Sequence, residues 1–314
     1  MDSPSVGHSV LLVAIPSLKQ LLAPAFLKNA VVEAAGHTRS HLLVIVFSPL
    51  FKPVGLGGLA PVHYWKEVQR LLIFIYVEAA RVSWEQDNVL LSVDVVLHSP
   101  TDTDVSRYDP LAWEFVYVLD QGDMIPLDDL PISTLTTTIF PPPFPSADDE
   151  QDEIYTAETP LSLLPPTYPV AALGGTFDHI HSGHKILVSI AAWIANEKVI
   201  VGVTDAALLV KKSNADVVES IDKRTEAVQR FGAFFDPSLI YEVVPITDVY
   251  GPTAWDPNIQ ALVVSHETQE GAAAVASYRS AHGLPPLEVF VIDVISSTDA
   301  QLNHEDPAAL KEGN

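Results

Sequence analysis

Eleven consecutive residues, Gly174-Gly175-Thr176-Phe177-Asp178-His179-Ile180-His181-Ser182-Gly183-His184, hold the side chains best suited to chemistry in this sequence. The paired glycines allow a ligand to approach the backbone closely. Thr176 offers a hydroxyl donor. His181 and His184 stand three apart, so in the first turn of a helix both rings would face the same oxygens. A helix start also presents unpaired N–H groups and the positive end of the helix dipole, a combination that favours phosphate. In nucleotidyl transfer a protein mainly positions the reactants and stabilises charge on the phosphorus being transferred, so this pattern suits that chemistry. Two other readings of the residues stay open. His179, His181 and His184 offer ligand nitrogens to a metal, although Asp178 would crowd the same turn. The stretch also fits a tight turn with solvated histidines.

The elements that must position these residues follow from periodicity. Tyr168–Leu173 reads as a strand that runs into the glycines. Gly183–Asn196 reads as a helix with Ile186, Leu187, Ile190, Ala191 and Ile194 on one face. Further strands are predicted at Lys198–Thr204, Ile240–Ile246, Ala261–Ser265 and Glu288–Asp293. Helices are predicted at Ser220–Phe235, with Ser220 as N-cap, and at Glu267–His282. Strands separated by helices imply right-handed crossovers and a Rossmann-like parallel sheet with helices on both faces. In such sheets ligands lie beyond the carboxyl ends of the strands, where the glycines and histidines fall.

Towards the N-terminus, short apolar runs at Ser9–Ile15, Leu42–Phe47, Leu71–Val77, Val89–Leu97 and Trp113–Leu119 read as strands. Helical patterns fit Pro16–Glu33 and Val62–Leu72. A smaller α/β domain over 8–120 is expected, and it carries no catalytic motif. Between Tyr108 and His184 the chain has no Lys or Arg, while Pro141-Pro142-Pro143-Phe144-Pro145 and Asp148-Asp149-Glu150-Gln151-Asp152-Glu153 fall inside that interval. Residues 121–166 are therefore read as an acidic, proline-rich linker. Residues 167–314 are read as the second domain and are expected to fold without 1–120.

Cysteine is absent, which excludes disulfides, thiolate metal sites and cysteine nucleophiles. The formal net charge is −23, so the overall field opposes nucleic acid and anionic membranes. No apolar run is long enough for a membrane span, and the first residues lack a basic leader, so a cytoplasmic protein is expected. An anionic substrate would have to be held by a local positive site against that field.

The eleven-residue stretch resembles the T/HxGH signature of the cytidylyltransferase-like nucleotidylyltransferases. Pro245-Ile246-Thr247-Asp248-Val249-Tyr250-Gly251-Pro252-Thr253, Asp256-Pro257 and Ala261-Leu262-Val263-Val264-Ser265-His266-Glu267-Thr268 resemble segments of the eukaryotic and archaeal phosphopantetheine adenylyltransferases. Gly283-Leu284-Pro285-Pro286-Leu287-Glu288-Val289 continues the likeness, which runs from Tyr168 to Asp293 and suggests a fungal-like form with an N-terminal extension. The resemblance implies transfer of AMP from ATP to 4′-phosphopantetheine, with magnesium accompanying ATP. It places Gly174, Gly175, Phe177, Asp178, His181 and Gly183 at the nucleotide. His184 and Thr176 would stand at the reacting phosphate, and Lys211 or Lys212 would grip the phosphates. Other coenzyme A-pathway enzymes are possible partners on the same grounds.

Arg224 lies near the expected site or pairs with Glu219 or Glu226. Arg279 contacts the site or forms a surface ion pair. His266 touches nucleotide or is a surface histidine. The family's second phosphate motif, Lys-Met-Ser-Ser-Thr-x-Ile-Arg, has only Ile295-Ser296-Ser297-Thr298-Asp299-Ala300-Gln301-Leu302 as a counterpart, without the flanking cations. Ser297 and Thr298 are thus either the working motif or a chance match in a domain truncated at its C-terminal end. In the second case ATP binding and turnover are expected to be weak. Transfer to a different acceptor and a non-catalytic scaffold of a coenzyme A-synthesising assembly are the rival functions.

Overall fold

The computed structural model describes residues 5–102, 105, 108, 112–130, 135–141, 164–205, 208 and 218–293. It contains two five-stranded sheets, and every strand pair in both is parallel. The first holds β1 (Val6–Ala14), β2 (Thr38–Phe47), β3 (Ser92–His98), β4 (Phe115–Leu119) and β5 (Thr136–Ile139) in the order β3-β2-β1-β4-β5. The second holds β6 (Tyr168–Gly175), β7 (Ala195–Thr204), β8 (Ile240–Ile246), β9 (Ala261–Ser265) and β10 (Glu288–Ile292) in the order β10-β9-β6-β7-β8. Counted within each half, both sheets run third-second-first-fourth-fifth. The chain is therefore a tandem of two identically wired units, and the first is not a smaller sheet than the second.

In the second half, α4 (Ser182–Ile194) and α5 (Ile221–Phe235) lie on one face of the sheet. Their apolar residues join a cluster with Ala171, Leu173, Val199, Val201 and Val263. The opposite face, with Val170, Ala172, Ile200, Leu262 and Val264, is covered by Ala272 and Val275 of α6 (Gln269–Ala281). The strand alternation thus sends successive side chains to two helical layers. Helix α5 lies close against β8 because Gly232 lacks a side chain: a Cβ there would sit 2.4 Å from the Tyr241 ring.

Three differences from the sequence reading have physical reasons. Leu71–Val77 is not a strand but the middle of α3 (Trp65–Glu85). Its buried positions Val68, Leu71, Leu72, Ile75, Tyr76, Ala79 and Val82 recur at helical spacing, whereas a seven-residue apolar run alone fits either period. The helix read across Pro16–Glu33 is divided into α1 (Leu18–Leu22), a 3₁₀ turn that begins at Pro24, and α2 (Lys28–His37). The residue before a proline is pushed out of the helical region, which ends α1 there. Finally, β5 falls inside 121–166, the stretch read as linker, and pairs with β4 from Phe115↔Thr136 to Val118↔Ile139. The acidic residue Asp120 orders the approach to it, its Oδ1 accepting the N–H groups of Gln121, Met124 and Ile125. The run Asp148–Glu153 lies outside the described residues.

The halves share one apolar cluster that extends from β1 and β2 through α3 to α4, α5 and β10. Phe51 packs edge-on to Trp193, Trp65 to Phe290 and Tyr108 to Phe234. Helix α4 is buried nearly all round, which requires a covering layer on the side away from its own sheet. That layer belongs to the first half, so the two halves share buried apolar surface, and whether the second folds without the first turns on that surface. Among the described residues, no helix is long and apolar enough to cross a membrane. Residues 164–314 expressed alone are expected to lose the cooperative thermal transition of the full chain and to bind a hydrophobic dye. A sharp melt with the midpoint of the intact protein would contradict the shared core.

Candidate active site

The carboxyl end of β6 delivers Gly174 and Gly175 to a short loop, and α4 begins at Ser182. A Cβ on Gly175 would come within 3.2 Å of the Phe177 ring, so the glycine makes room for that ring to fold back into the core, where it is fully buried. Phe177 has a φ of 53° and His179 a φ of 42°. Left-handed backbone is costly for an aromatic residue and persists only where the surroundings impose it, a pattern concentrated at ligand loops.

His181 is the N-cap of α4, and its Nδ1 accepts the Gly183 N–H at 3.2 Å. This fixes its tautomer: in the neutral ring the proton sits on Nε2, directed away from the helix, and can be donated to a ligand. His184 lies behind it, with ring centroids 3.9 Å apart, and rests against Phe177 at 5.1 Å. Burial pushes the His184 imidazole down to about 3, neighbouring His181 adds to this, and Asp178 opposes it. Burial and then Lys185 hold His181 below its ordinary value as well, again against Asp178. At neutral pH His184 is therefore an uncharged N–H donor. Positive potential at the site comes from the helix start.

Arg224 is buried, and among the described residues its guanidinium pairs with no carboxylate. Nη1 donates to the carbonyls of Thr176 at 2.7 Å and Thr204 at 2.9 Å, and Nε to that of Glu219 at 2.9 Å. It clamps the ends of β6 and β7 to the segment that leads into α5, which makes it a support of the loop. Neither of the pairings expected with Glu219 or Glu226 side chains forms. Asp178 Oδ1 accepts the Glu219 N–H at 2.8 Å, and Glu219 Oε2 accepts the His179 N–H at 3.0 Å. The same three side chains bring one ring nitrogen and two carboxylates within 4.8 Å of one another, a set able to hold a cation. His181 and His184 are not part of it.

Arg279 is fully buried and donates to the carbonyls of Pro285, Thr253 and Asp256. It is not a surface ion pair: through Nε and Nη1 it staples the 251–256 turn to α6, while Nη2 is buried with no partner among the described residues. His266 is exposed, and its Nε2 lies 2.9 Å from Asp293 Oδ1. Lys211, Lys212, Ser297 and Thr298 lie outside the described residues. Sequence reasoning missed Lys185, although a lysine directly before the largely apolar run from Ile186 to Ala192 was the available signal. It is 7% exposed, and its Nζ lies 2.7 Å from Asp94 Oδ1 on β3.

A glycine-lined loop at the carboxyl end of a parallel strand, closed by a histidine-capped helix, defines the class of α/β nucleotidylyltransferases. The cytidylyltransferase-like sequence family matches residues 172–305. The chain belongs to the phosphopantetheine adenylyltransferase family. A Methanopyrus kandleri protein of that name is 36% identical over 129 residues, covering 41% of this chain and 81% of the relative. The Saccharomyces cerevisiae phosphopantetheine adenylyltransferase is 43% identical over 132 residues, 42% of this chain and 43% of the yeast protein. An uncharacterized Schizosaccharomyces pombe protein is 43% identical over 142 residues, 45% of each chain. The match thus spans less than half the length of these two fungal relatives.

Two outcomes follow from the histidines. His184 titrates about 3 in the folded chain and near its ordinary 6.5 when unfolded. Between those values the unfolded state holds more protons, so this stabilisation is complete above 6.5 and is lost as pH falls towards 3. The difference in melting temperature between wild type and His184→Asn should therefore shrink progressively on acidification through that window. A constant difference from pH 7 to 4 would show that the ring does not titrate as described. Asn can replace the capping acceptor of His181 and Ala cannot, so His181→Ala should be less stable than His181→Asn by about 1 kcal/mol in chemical denaturation. Equal stability would remove the cap.

Proposed function

We propose that this chain transfers the adenylyl group of ATP to 4′-phosphopantetheine, forming dephospho-coenzyme A and pyrophosphate. The observation that carries the reading is the N-terminus of α4. There His181 caps the helix and presents Nε2–H, with the His184 ring tilted against it at a centroid distance of 3.9 Å. ATP enters as its magnesium complex. Its phosphates meet the helix start, the His181 and His184 donors, and Lys211 or Lys212, while Thr176 orients the acceptor phosphate. An oxygen of the 4′-phosphate attacks the α-phosphorus, the bond to the bridging oxygen of pyrophosphate breaks, and pyrophosphate leaves. A neutral His184 donor becomes more strongly held as charge builds on the phosphoryl oxygens, so it favours the transition state over the ground state. Gly174, Gly175, Phe177, Asp178 and Gly183 shape the loop around the nucleotide, and His266, Ser297 and Thr298 are assigned to its periphery. A cytoplasmic setting and contact with other enzymes of coenzyme A synthesis accord with this role.

Pyrophosphate release from ATP, measured with 4′-phosphopantetheine and with other phosphate or alcohol acceptors in turn, tests the reading. Release should depend on 4′-phosphopantetheine, and His184→Ala should lower turnover at least about 100-fold with the fold retained. Release with another acceptor only, or ATP binding without any release, would replace this function by a different transferase or by a scaffold.

A further inference from the structure

Among its described residues the first half carries no counterpart of the phosphate loop, yet it supplies the anchor for the helix that does. Lys185 follows His184 directly, and its backbone N–H closes the first turn of α4 on the His181 carbonyl at 2.9 Å. Its side chain passes the Phe231 ring of α5, with Nζ 5.8 Å from the ring centroid, and reaches across to the first half. Nζ donates to the Val93 carbonyl at 2.7 Å, approaches Ser92 Oγ at 3.5 Å and pairs with Asp94 Oδ1 at 2.7 Å, all on β3. The other Asp94 oxygen accepts from His41 Nε2 on β2 at 2.7 Å. Burial pushes the Asp94 carboxyl up, but the His41 hydrogen bond and the Lys185 ammonium outweigh it, leaving Asp94 ionised below the usual carboxylate range. A buried ammonium cannot be left without its partner, so the position of the first turn of α4 is dictated by a carboxylate of the other sheet.

We infer that Asp94 and Lys185 form a positioning pair through which the first sheet holds the His181–His184 turn in register with the phosphate site. The inference rests on the proposed adenylyl transfer for its catalytic consequence, and its structural part stands without it. The pair touches no substrate; it acts through the capping turn.

Full-length Asp94→Asn, Lys185→Met and the double variant separate positioning from plain stability. Each single variant leaves a buried polar group mismatched and should melt lower than wild type. The double variant removes both charges and should recover most of that loss. Affinity for magnesium–ATP and turnover with 4′-phosphopantetheine should stay low in all three, with turnover down about 10- to 100-fold from a displaced reactant site. Lys185→Arg should restore part of it. Amide hydrogen exchange should report faster opening at Gly183 and Lys185 in the three variants, with α6 amides unchanged. Function returning together with stability in the double variant would overturn the inference, as would unchanged exchange at Gly183. If wild type itself neither binds ATP nor releases pyrophosphate, the proposed function fails, and exchange at Gly183 and Lys185 still decides the anchoring.

Discussion

A guanidinium shut away from water must find acceptors for its N–H groups, and Arg224 finds three, all of them backbone carbonyls. They belong to the loop after β6, the end of β7 and the residue before the α5 cap. Because one rigid planar group must satisfy all three, their spacing is set within the tolerance of a hydrogen bond. The loop that carries Phe177 and His179 in left-handed backbone is therefore held from below. The Asp178 and Glu219 carboxylates repeat the arrangement from the side by accepting each other's neighbouring N–H groups. A ligand loop supported in this way meets its substrate already ordered, and less free energy is lost to ordering on binding.

The charge balance of the molecule makes that preorganisation more consequential. A chain with net charge −23 does not attract a polyphosphate from a distance. Recognition has to come from short-range donors, and neutral imidazoles, helix N–H groups and a glycine-lined backbone are all of that kind. Uncharged histidines also avoid the repulsion of two like charges whose ring centroids lie 3.9 Å apart.

Much of the second half was legible because its strands alternate with long helices. The limits of β8 and β9 coincide with the residues expected from periodicity, and Ser220 caps α5 as its position implied, accepting from Lys223. What failed to show was the use of each polar residue. Arg224 and Arg279 stand where ligands were sought, but they bond to main-chain carbonyls, a role with no sequence pattern because any residue can supply the acceptor. Lys185 drew no reading at all, because its partner lies 91 positions away on the first sheet, Asp94. Strand β5 was hidden by its threonines, since Thr136-Thr137-Thr138 on a sheet edge needs no apolar face.

The bonds between Gln69 and Asp293 join residues 224 positions apart, one in α3 and the other directly after the final described strand. Beside them Trp65 meets Phe290. A ribosome releases α3 long before β10, so during synthesis the apolar flank of that helix waits uncovered. Parallel pairing over such separations is slow, because the chain loses loop entropy before the contacts compensate it. The nascent first sheet is thus a half-finished surface, and the interval before its closure is when its uncovered apolar flank is most exposed to association.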